Sequence, residues 1–470
     1  MLFCRLAAGR LGDPVVHAGL TWRTPYIPAM RVLIVGGGGR EHALAWRFKR
    51  DDPSVEILAA PGNPGIAELG ECVRVPATDI EALARLAADR RVDLTVVGPE
   101  APLAAGIVDH FRGAGLPIFG PTRAAAEIET SKAYAKRLML EDGIPTARAE
   151  VHTDVSSAVA CAHRFGAPVV IKASGLAAGK GVIVCQALDQ AEAAIVDILE
   201  DNRFGDAGAE VLVEEFMEGE ELSVFALTDG SSFIILPSLQ DHKRLHDKDM
   251  GPNTGGMGAY LPVTVPFPDR SVSGRADHLS SLQDEISTRI IAPTLGGLAA
   301  RGRPFTGLLY AGLMLTRLGP KVVEFNCRFG DPETQALMPA LRMEPSLLQI
   351  MAEIAAGSLG RRAATATVSL VGACVTTVLA AANYPDTPRT GDPIELPPIT
   401  EDGVVLFHAG TARDAEGGLI TSGGRVLAVS AVAPDIALAH QRSLDYARRV
   451  HFSGCQLRTD IGWREIARKR

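Results

Sequence analysis

Short apolar runs alternate with amphipathic stretches through the N-terminal third of the chain. The predicted strands are Arg31–Val35, Val55–Ala59, Leu94–Val97 and Pro117–Phe119, and the predicted helices are Glu41–Lys49, Ile80–Arg90 and Leu103–Arg112. A longer helix is predicted over Arg123–Glu141, just before the breaker Gly143-Ile-Pro145. Apolar runs of about four to six residues that alternate with helices are typical of a doubly wound parallel sheet. We therefore expect an α/β fold with an N-terminal Rossmann-like domain over 30–131.

Two further regions follow. In the first, strands are predicted at Val169–Lys172, Val182–Val184, Val211–Glu214, Gly307–Leu315 and Val322–Phe325, helices at Ala191–Glu200 and 275–300, and a glycine-rich loop at 251–258. After a boundary at Gly357–Arg362, β-rich segments are predicted at Thr367–Val378, Gly403–Ala409 and Val426–Val432, and a closing helix at Pro434–Arg448. We expect a central domain over 132–358, with a subdomain at about 146–221, and a β-rich α+β C-terminal domain over 359–470. Residues 1–29 lack periodicity, which favours a disordered extension or an upstream start over a targeting segment.

The composition excludes several classes of protein. The length of 470 residues suits about three domains. A net charge of −8 argues against a dedicated nucleic-acid binder, and the apolar runs are far shorter than the roughly 20 residues of a membrane helix. The seven cysteines are scattered without CxxC spacing, so neither a disulfide framework nor a zinc site is indicated. We expect a cytoplasmic protein that binds neither nucleic acid nor membrane.

A glycine-rich segment, Gly36-Gly-Gly-Gly-Arg-Glu-His42, follows the first predicted strand. A glycine turn at a helix N-terminus exposes backbone N–H groups and the positive end of the helix dipole, which suits a phosphate. The dinucleotide fingerprint is incomplete, because Glu41 stands where a third glycine is needed and no acid ends the second strand. The segment favours a phosphate of another ligand, with a purely structural tight turn as the alternative.

The segment Lys172-Ala-Ser-Gly-Leu-Ala-Ala-Gly-Lys180-Gly181 carries two of only nine lysines in the chain. It is not a P-loop, because three residues rather than four separate its first two glycines and a glycine follows the second lysine. Free backbone N–H groups and ammonium charge suit a flexible flap over phosphates. The alternative, a simple β-hairpin, needs neither lysine.

Two polar regions lie further along the chain. The Glu-rich segment 214–223 is either a solvated strand edge or a hinge beside a nucleotide, in which Glu221 accepts from ribose hydroxyls. The basic cluster Gln240-Asp-His-Lys-Arg244 and the loop Gly251–Gly258 suit a phosphorylated substrate. Their alternative is a solvated turn with a mobile surface loop.

The segment Glu324-Phe-Asn326-Cys-Arg328-Phe-Gly-Asp331-Pro-Glu333 ends a predicted strand. Residues two apart in a strand face the same side, so Glu324 and Asn326 point one way. Hard oxygen ligands in that arrangement suit Mg²⁺ held against a triphosphate. An edge strand without a functional role would not normally continue with arginine, aspartate and glutamate so close together. The segment therefore favours a strand that binds a metal ion and substrate.

In their order along the chain, these motifs resemble those of the ATP-grasp ligases. More closely, the chain resembles the glycinamide ribonucleotide synthetase (phosphoribosylamine–glycine ligase) family from about Met30 to Trp463. The most specific stretches are GGGGREHA, PGNPG, VGPEAPL, GLAAGKGV, QDHKR, GPNTGGMGAY and EFNCRFGDPE. The resemblance implies an ATP-grasp domain behind a doubly wound pre-ATP-grasp domain. It also implies ATP, Mg²⁺ or Mn²⁺, glycine and 5-phosphoribosylamine as ligands, in a ligase of purine biosynthesis.

The resemblance further implies roles for the residues at matching positions. Those expected at ATP are Lys132, Lys172, Gly179, Lys180, Gly181, Glu214, Glu215, Phe216 and Glu221, and those expected at the metal are Glu324 and Asn326. Lys172, Arg328 and Asp331 are expected to be catalytic. The residues expected to bind substrate are Gly37, Gly38, Asn63, Gly65, Glu100, Asp241, Lys243, Asn253, Gly255, Gly256, Arg328, Gly330 and Asp331.

The sequence departs from the family pattern at three places. Ser174 stands where aspartate is usual and Met250 where threonine is commoner, and Asn383-Tyr-Pro-Asp386 replaces Gly-Tyr-Pro-Gly, a change expected to touch only a turn.

Two other functions stay open. One is an ATP-grasp ligase for another acid and amine, or a purine-pathway carboxylase, whose ATPase activity would require bicarbonate and not glycine. The other is a non-catalytic nucleotide sensor, although the metal strand and flap lysines that a sensor would lose are present. No signature of an oligomer interface stands out.

Overall fold

The computed structural model describes residues 29–177, 181–201, 205–264 and 282–468. Its N-terminal part is a five-stranded sheet whose strands are all parallel. In spatial order they are Glu71–Cys72, Glu56–Pro61, Arg31–Gly36, Leu94–Val97 and Ile118–Phe119, and the helices between them are Gly39–Asp51, Ile80–Asp89, Glu100–Ala104 and Ile107–Gly113. The predicted doubly wound parallel sheet is therefore confirmed. It forms because its strands are almost wholly apolar, and Val32, Leu33, Ile34 and Val35 are fully buried.

The strand order reverses direction between Arg31–Gly36 and Leu94–Val97. In open α/β sheets the crevice at such a switch point, outside the carboxyl ends of the strands, is where ligands bind. Two loops leave the sheet there, the one that contains Gly37 and Gly38 and the one that contains Pro99. The topology thus places the glycine-rich segment at the expected crevice.

The central part contains two four-stranded antiparallel sheets, which are the two halves of an ATP-grasp fold. The strands of the first are Ala149–His152, Val211–Glu215, Val169–Ala173 and Val182–Cys185, covered by the helices Val155–Phe165 and Leu188–Leu199. The strands of the second are Phe233–Ile235, Glu220–Thr228, Gly307–Thr316 and Gly319–Asn326. The first sheet and its helices share an apolar core of their own, so this subdomain is a separate packing unit.

The C-terminal part is built around a five-stranded antiparallel sheet. In spatial order its strands are Gln240–Asp241, Gly258–Leu261, Ala373–Ala380, Arg425–Ala433 and Val404–His408. Three strand pairs complete the β-structure: Arg244–His246 with Met250–Asn253, Leu341–Glu344 with Thr367–Leu370, and Thr411–Arg413 with Leu419–Thr421. The remaining helices are Arg123–Thr130, Lys132–Glu141, Ala292–Ala300, Glu333–Ala340, Leu347–Ala355, Arg362–Thr365, Ile436–Ala447 and Trp463–Arg468. Because two strands from before residue 262 join this sheet, the loop between them is attached to the C-terminal part.

Residues 1–28 and the first part of the helix predicted over 275–300 lie outside the described residues. Three predicted elements differ from the structure by more than the position of their ends. The helix predicted over Leu103–Arg112 is interrupted at Gly106, which has φ +88°. The helix predicted over Arg123–Glu141 is interrupted at Ser131, whose extended backbone lets its hydroxyl accept from the N–H of Tyr134 and cap a second helix. The predicted loop 251–258 is partly the strand Met250–Asn253. Within the described residues, no helix is long and apolar enough to cross a bilayer.

Candidate active site

A buried lysine–glutamate–lysine cluster lies where the two central sheets meet. Nζ of Lys172 lies 2.9 Å from one carboxylate oxygen of Glu214 and donates to the carbonyl of Val323 at 3.2 Å. Nζ of Lys136 lies 3.3 Å from the other oxygen of Glu214. Burial by itself raises the pKa of Glu214, but the two lysines outweigh it and hold that pKa below its usual value. The side chain of Glu214 therefore anchors Lys172 and is not free to meet a ribose.

The helix Lys132–Glu141 begins beside this cluster and is tied to the start of the flap. The backbone N–H of Lys132 donates to the carbonyl of Ser174 at 2.8 Å, and its Nζ donates to the carbonyl of Gly175 at 3.0 Å. The hydroxyl of Ser174 accepts from the N–H of Ala133 at 3.3 Å. Ser174, the departure from the family aspartate, thus helps to cap this helix, with no negative charge added.

Lys132 also interacts with the charges around it. Burial lowers the pKa of Lys132 and Lys172 lowers it further, while Glu324 opposes both. Gly181 continues the strand pair beyond the flap, where its carbonyl accepts from the N–H of Ala173 at 2.8 Å. The predicted Gly179 and Lys180 lie outside the described residues.

Glu324 and Asn326 lie on one face of the strand Gly319–Asn326, with the buried Phe325 directed to the other face. Burial raises the pKa of Glu324, but its cationic neighbours outweigh that effect and hold the pKa below its usual value. In decreasing order of influence these neighbours are Lys243, Lys172, Lys132 and Arg328. Among the described residues, none forms a direct ion pair with this carboxylate. An accessible carboxylate and an amide oxygen, ringed by cations, fit Mg²⁺ that arrives with a polyphosphate.

The side chains of the predicted hinge have different partners. Glu215 accepts from the N–H of Arg148 at 3.0 Å and from its Nε at 2.7 Å, so its carboxylate is held at the outside of the sheet. Phe216 is 38% exposed, which leaves its ring open to stacking. Glu221 instead is half-exposed and forms an ion pair with Lys243.

Asp241 and Lys243 extend the charged network from the hinge. Burial raises the pKa of Asp241 to about 7, with Glu333 and Glu221 acting in the same direction and Lys243 opposing them. Burial lowers the pKa of Lys243, but the surrounding carboxylates outweigh it and raise that pKa well above its usual value. The carbonyl of Lys243 accepts from the N–H and hydroxyl of Thr254, at 2.7 and 2.8 Å. The basic cluster and the glycine-rich loop are therefore one unit.

Arg328 lies between two carboxylates from the N-terminal part. Its Nε is 3.2 Å from an oxygen of Glu100 and 3.5 Å from an oxygen of Glu129. The second oxygen of Glu129 accepts from the backbone N–H of Cys327 at 2.7 Å. Glu129 was not predicted from the sequence, yet it holds both the backbone and the side chain of this segment in place.

Asp331 joins all three parts of the molecule. One carboxylate oxygen accepts from Gln335 at 2.8 Å and lies 3.4 Å from the guanidinium of Arg425. Arg425 also donates to the carbonyls of Asp331 at 2.5 Å and of Gly255 at 2.6 Å. A side chain on Gly256 would collide with Pro332, and one on Gly330 would collide with Glu333. Asn253, by contrast, is exposed and lies at the outside of the loop.

The turn that contains Asn383 and Tyr384 also contacts this loop. The hydroxyl of Tyr384 accepts from the N–H of Gly255 at 2.9 Å. Asn383 has φ +64°, a left-handed conformation that asparagine adopts more readily than most residues, so it replaces the family glycine without a change of turn. The expectation that the substitutions touch only a turn stays a prediction, since the contact with Gly255 comes from Tyr384, which the family pattern shares.

The glycine-rich segment is held by polar side chains at the switch point. The N–H of Gly38 donates to Glu41 at 2.6 Å, and a side chain on Gly37 would collide with the carbonyl of Gly62. Nδ2 of Asn63 donates to the carbonyls of Gly37 at 2.9 Å and His408 at 2.8 Å. The side-chain amide of Asn63 therefore holds the loop in shape, and its N–H groups are used for contacts within the protein.

Two buried histidines pack against Gly65. A Cβ at Gly65 would meet the rings of His42 and His408, so only glycine fits. Nδ1 of His42 accepts from the backbone N–H of His408 at 2.8 Å, which places the proton of a neutral His42 on Nε2. Burial lowers the pKa of His42 to about 3 and that of His408 to about 4. Both rings are thus neutral at pH 7.

Comparison with known proteins identifies the family. Family models of the phosphoribosylglycinamide synthetase N domain, ATP-grasp (A) domain and C domain match residues 30–129, 130–334 and 374–464, respectively. The chain belongs to the phosphoribosylglycinamide synthetase family. A phosphoribosylamine–glycine ligase of Xylella fastidiosa is 46% identical over 448 residues, 94% of this chain and 99% of the relative. The crystal structure of the Thermotoga maritima phosphoribosylamine–glycine ligase is 33% identical, with a TM-score of 0.77 over 92% of this chain and 100% of that one.

More distant solved structures share the fold. A biotin carboxylase from Campylobacter jejuni has a TM-score of 0.65 at 15% identity, over 91% of this chain and 92% of that one. This likeness agrees with the two antiparallel sheets of the central part and supports the ATP-grasp fold alone.

Three further residues, Ser223, Tyr310 and Glu333, form a hydrogen-bonded cluster in this site that sequence reasoning did not bring together. The hydroxyl of Tyr310 donates to Glu333 at 2.6 Å and lies 2.8 Å from the hydroxyl of Ser223. All three side chains are buried beside Asp241 and Asn326. Glu333 belongs to the motif that begins at Glu324. Tyr310 carries a hydroxyl inside an otherwise apolar strand, and this pattern could have indicated a buried polar contact.

Replacing Asn63 with alanine is expected to weaken the acceptor side of the site selectively. The change leaves the carbonyls of Gly37 and His408 and the N–H of Ile66 without their partner, at a cost of about 1–3 kcal/mol for each group that stays buried. Steady-state kinetics should show a raised KM for the phosphorylated amine and an unchanged KM for ATP. Equal changes in both constants would contradict the assignment of this loop to one substrate.

The neutral histidine pair predicts a specific acid sensitivity. An unfolded histidine has a pKa of about 6.5. Because His42 and His408 have lower pKa values when folded, their contribution to stability is complete above pH 6.5 and is lost as the pH falls towards 4. Each contributes up to about 1.4 kcal/mol per pH unit in this window. Thermal unfolding between pH 7 and 5 should therefore depend less on pH in His42→Gln, while equal slopes in variant and wild type would contradict the assignment.

Proposed function

We propose that this protein joins glycine to 5-phosphoribosylamine with ATP, giving glycinamide ribonucleotide, ADP and phosphate in purine biosynthesis. The observation that carries the proposal is the course of the segment 324–333. It begins at Glu324, beside Lys172 and Lys132, and it reaches Asp331, beside the glycine-rich loop of the N-terminal sheet. One short segment thus links a site for phosphate chemistry to a site for a phosphorylated acceptor.

The first of these sites binds ATP. Lys132 and Lys172 neutralise the phosphates, and the flap residues Gly179, Lys180 and Gly181 close over them. The strand backbone at Glu214 and Glu215 reads adenine, Phe216 packs on it, and Glu221 accepts from the ribose. Because Glu214 is anchored by two lysines, its part in this hinge is to hold Lys172 in position.

Glu324 and Asn326 hold the metal ion, Mg²⁺ or Mn²⁺. Their hard oxygen atoms and the absence of a direct ion pair to Glu324 within the described residues fit this assignment. When bound, the ion offsets negative charge on the phosphoryl oxygens. The lysines around Glu324 supply positive charge to the same oxygens.

The second site binds the acceptor and glycine. Gly37 and Gly38 present backbone to the phosphoribosyl group, with Asn63, Gly65 and Glu100 shaping the loop around it. The segment of Asp241, Lys243, Asn253, Gly255 and Gly256 closes the other side, through the contacts of Thr254 and Arg425. Arg328, Gly330 and Asp331 lie between the two sites, where glycine must react.

A carboxylate must be activated before an amine can attack it, because oxide is a very poor leaving group. The carboxylate of glycine attacks the γ-phosphoryl group of ATP, which forms glycyl phosphate and releases ADP. The amine of phosphoribosylamine then attacks the glycyl carbonyl and expels inorganic phosphate. The amine is already a neutral nucleophile, so no activated serine or cysteine is required. Lys172 and Arg328 stabilise the charge that develops, and the closed flap keeps water from the acyl phosphate.

The order of bond breaking is tested with glycine carrying ¹⁸O in both carboxylate positions. If glycyl phosphate forms, one labelled oxygen passes to inorganic phosphate and one stays in the amide product. Mass spectrometry of the released phosphate should show one ¹⁸O atom per turnover. Phosphate without label, together with a correct amide product, would contradict the acyl phosphate route.

We also place this reaction in the cytoplasm. The support is that all six cysteines within the described residues are free thiols, as expected in a reducing compartment. All three substrates and all three products are small molecules, and the proposal requires no macromolecular partner.

A further inference from the structure

A second cluster of metal-binding side chains lies in the subdomain that carries Lys172, outside the site described above. Glu150 and His152 are two apart on the edge strand Ala149–His152 and therefore share one face. The helix Val155–Phe165 packs against this strand and contributes Cys161. One carboxylate oxygen, one imidazole nitrogen and the thiol sulfur all lie within 4.8 Å of one another. Within the described residues, no other three such groups lie this close.

The histidine of this cluster is oriented as a metal ligand would be. Nδ1 of His152 lies 3.0 Å from the hydroxyl of Ser157, and that hydroxyl is 2.6 Å from a carboxylate oxygen of Asp154. Since Ser157 donates to Asp154, its oxygen accepts the proton of Nδ1, and Nε2 is left with a lone pair. In metal sites the ring N–H that faces away from the ion is commonly held by a hydrogen bond, which fixes the tautomer of the histidine.

Nε2 of His152 is buried and has no hydrogen-bond partner. An unsatisfied buried polar atom is unfavourable, and natural proteins rarely retain one without a reason. Oε2 of Glu150 lies 3.7 Å from this nitrogen, too far for a hydrogen bond and close to the spacing of two ligands on one cation. The cluster therefore sets a directed lone pair of His152 beside a carboxylate and a thiol, and the thiol of Cys161 interacts with the carboxylate of Glu150.

The competing ion pair at this site is weak. Glu150 also forms an ion pair with Arg164 at 2.6 Å, but both side chains are more than two-fifths exposed. Exposed pairs of this kind contribute little to stability, so a cation can displace the arginine at little cost. The thiol of Cys161 is buried, so it ionises only when a cation replaces its proton, which is then released to solvent.

We propose that Glu150, His152 and Cys161 form a binding site for a borderline-soft divalent cation of the Zn²⁺ class. Thiolate and imidazole ligands select such ions over Mg²⁺, so the site is chemically distinct from Glu324 and Asn326. Three protein ligands leave the fourth tetrahedral position to water. The spacing of the cysteines alone did not indicate this site, because a strand and a helix must pack before its ligands meet. A bound ion would cross-link the edge strand to its covering helix.

Cobalt is the probe for this site, because a thiolate ligand gives Co²⁺ a sulfur-to-metal charge-transfer absorption. The full-length metal-free protein is titrated with Co²⁺ in the presence of excess Mg²⁺, and then with Zn²⁺ to displace it. The proposal predicts a charge-transfer band that saturates near one ion per chain and disappears on addition of zinc. A titration without this band would overturn the proposal.

Matched variants locate the ligands. Cys161→Ser should abolish the band, and His152→Asn should weaken Co²⁺ binding by at least about 10-fold. Cys185→Ser changes another buried thiol of the same subdomain, and His163→Asn changes an exposed histidine of the same helix, so both should bind like wild type. Equal binding by Cys161→Ser and wild type would overturn the proposal.

A measurement on the unaltered protein guards against variants that fail to fold. X-ray absorption of the zinc-loaded wild type should show one sulfur ligand at about 2.3 Å together with nitrogen and oxygen ligands. A first shell of nitrogen and oxygen alone would place the ion elsewhere and overturn the proposal.

Discussion

The Glu324→Gln variant is expected to fold normally and to lose turnover by about 100-fold or more. The change keeps the size of the side chain but removes the negative charge that faces Lys243, Lys172 and Lys132. A neutral amide binds Mg²⁺ more weakly than a carboxylate, so less metal accompanies the nucleotide. The measurement is kcat at saturating glycine and amine, with the Mg²⁺ concentration varied. The apparent affinity for Mg²⁺ should fall together with kcat.

Glu344→Gln is the matched control, because this glutamate is exposed at the end of a different strand. It should keep wild-type turnover and metal dependence. Circular dichroism and thermal unfolding establish that both variants are folded. Turnover like that of wild type in a folded Glu324→Gln protein would remove Glu324 from the metal assignment.

The Lys172→Met variant is expected to lose turnover by a similar factor, for a different reason. Methionine fills the space of the lysine stem but removes the ammonium that offsets charge on the phosphoryl group. Glu214 stays paired with Lys136, so the variant avoids the cost of about 3–5 kcal/mol for a fully unpaired buried charge. The loss should appear in kcat and in ATP affinity, with the KM for phosphoribosylamine little changed.

Lys49→Met serves as the control, because this lysine is in the last turn of an N-terminal helix and donates to the nearby carbonyl of Pro53. It should behave as wild type in every constant. If Lys172→Met binds ATP and turns over normally while it remains folded, then the buried lysine–glutamate–lysine cluster is structural only.

The N-terminal sheet was predictable because its strands carry their own signal. A fully buried parallel strand is an almost unbroken apolar run, and Leu94–Val97 has the same bounds in the structure as in the prediction. The helix break at Ser131 was missed because a capping serine inside a helical pattern looks like an ordinary polar position. The break matters for the candidate site, because it places Lys132, a predicted ATP-binding residue, in the first turn of its helix.

The local motifs were found in the sequence, but their partners were not. Lys172 and Glu324 occur in recognisable segments. Arg425 pairs with Asp331 and Glu129 pairs with Arg328, but both partners come from distant parts of the chain. Neither Arg425 nor Glu129 belongs to a recognisable sequence motif. Such pairs form only when three separate sheets assemble, so no spacing along the sequence indicates them. The proposed division into domains at residues 131 and 358 likewise rests on local breaks in pattern.

The central claim is that ATP cleavage here requires both glycine and phosphoribosylamine. Phosphate release from ATP and Mg²⁺ is measured with the amine generated in situ, and each component is omitted in turn. The account predicts full release only with the complete mixture, and a product with the mass of glycinamide ribonucleotide. Release that is indifferent to glycine but depends on another acid, such as bicarbonate, would keep the ATP-grasp fold and contradict the assigned reaction.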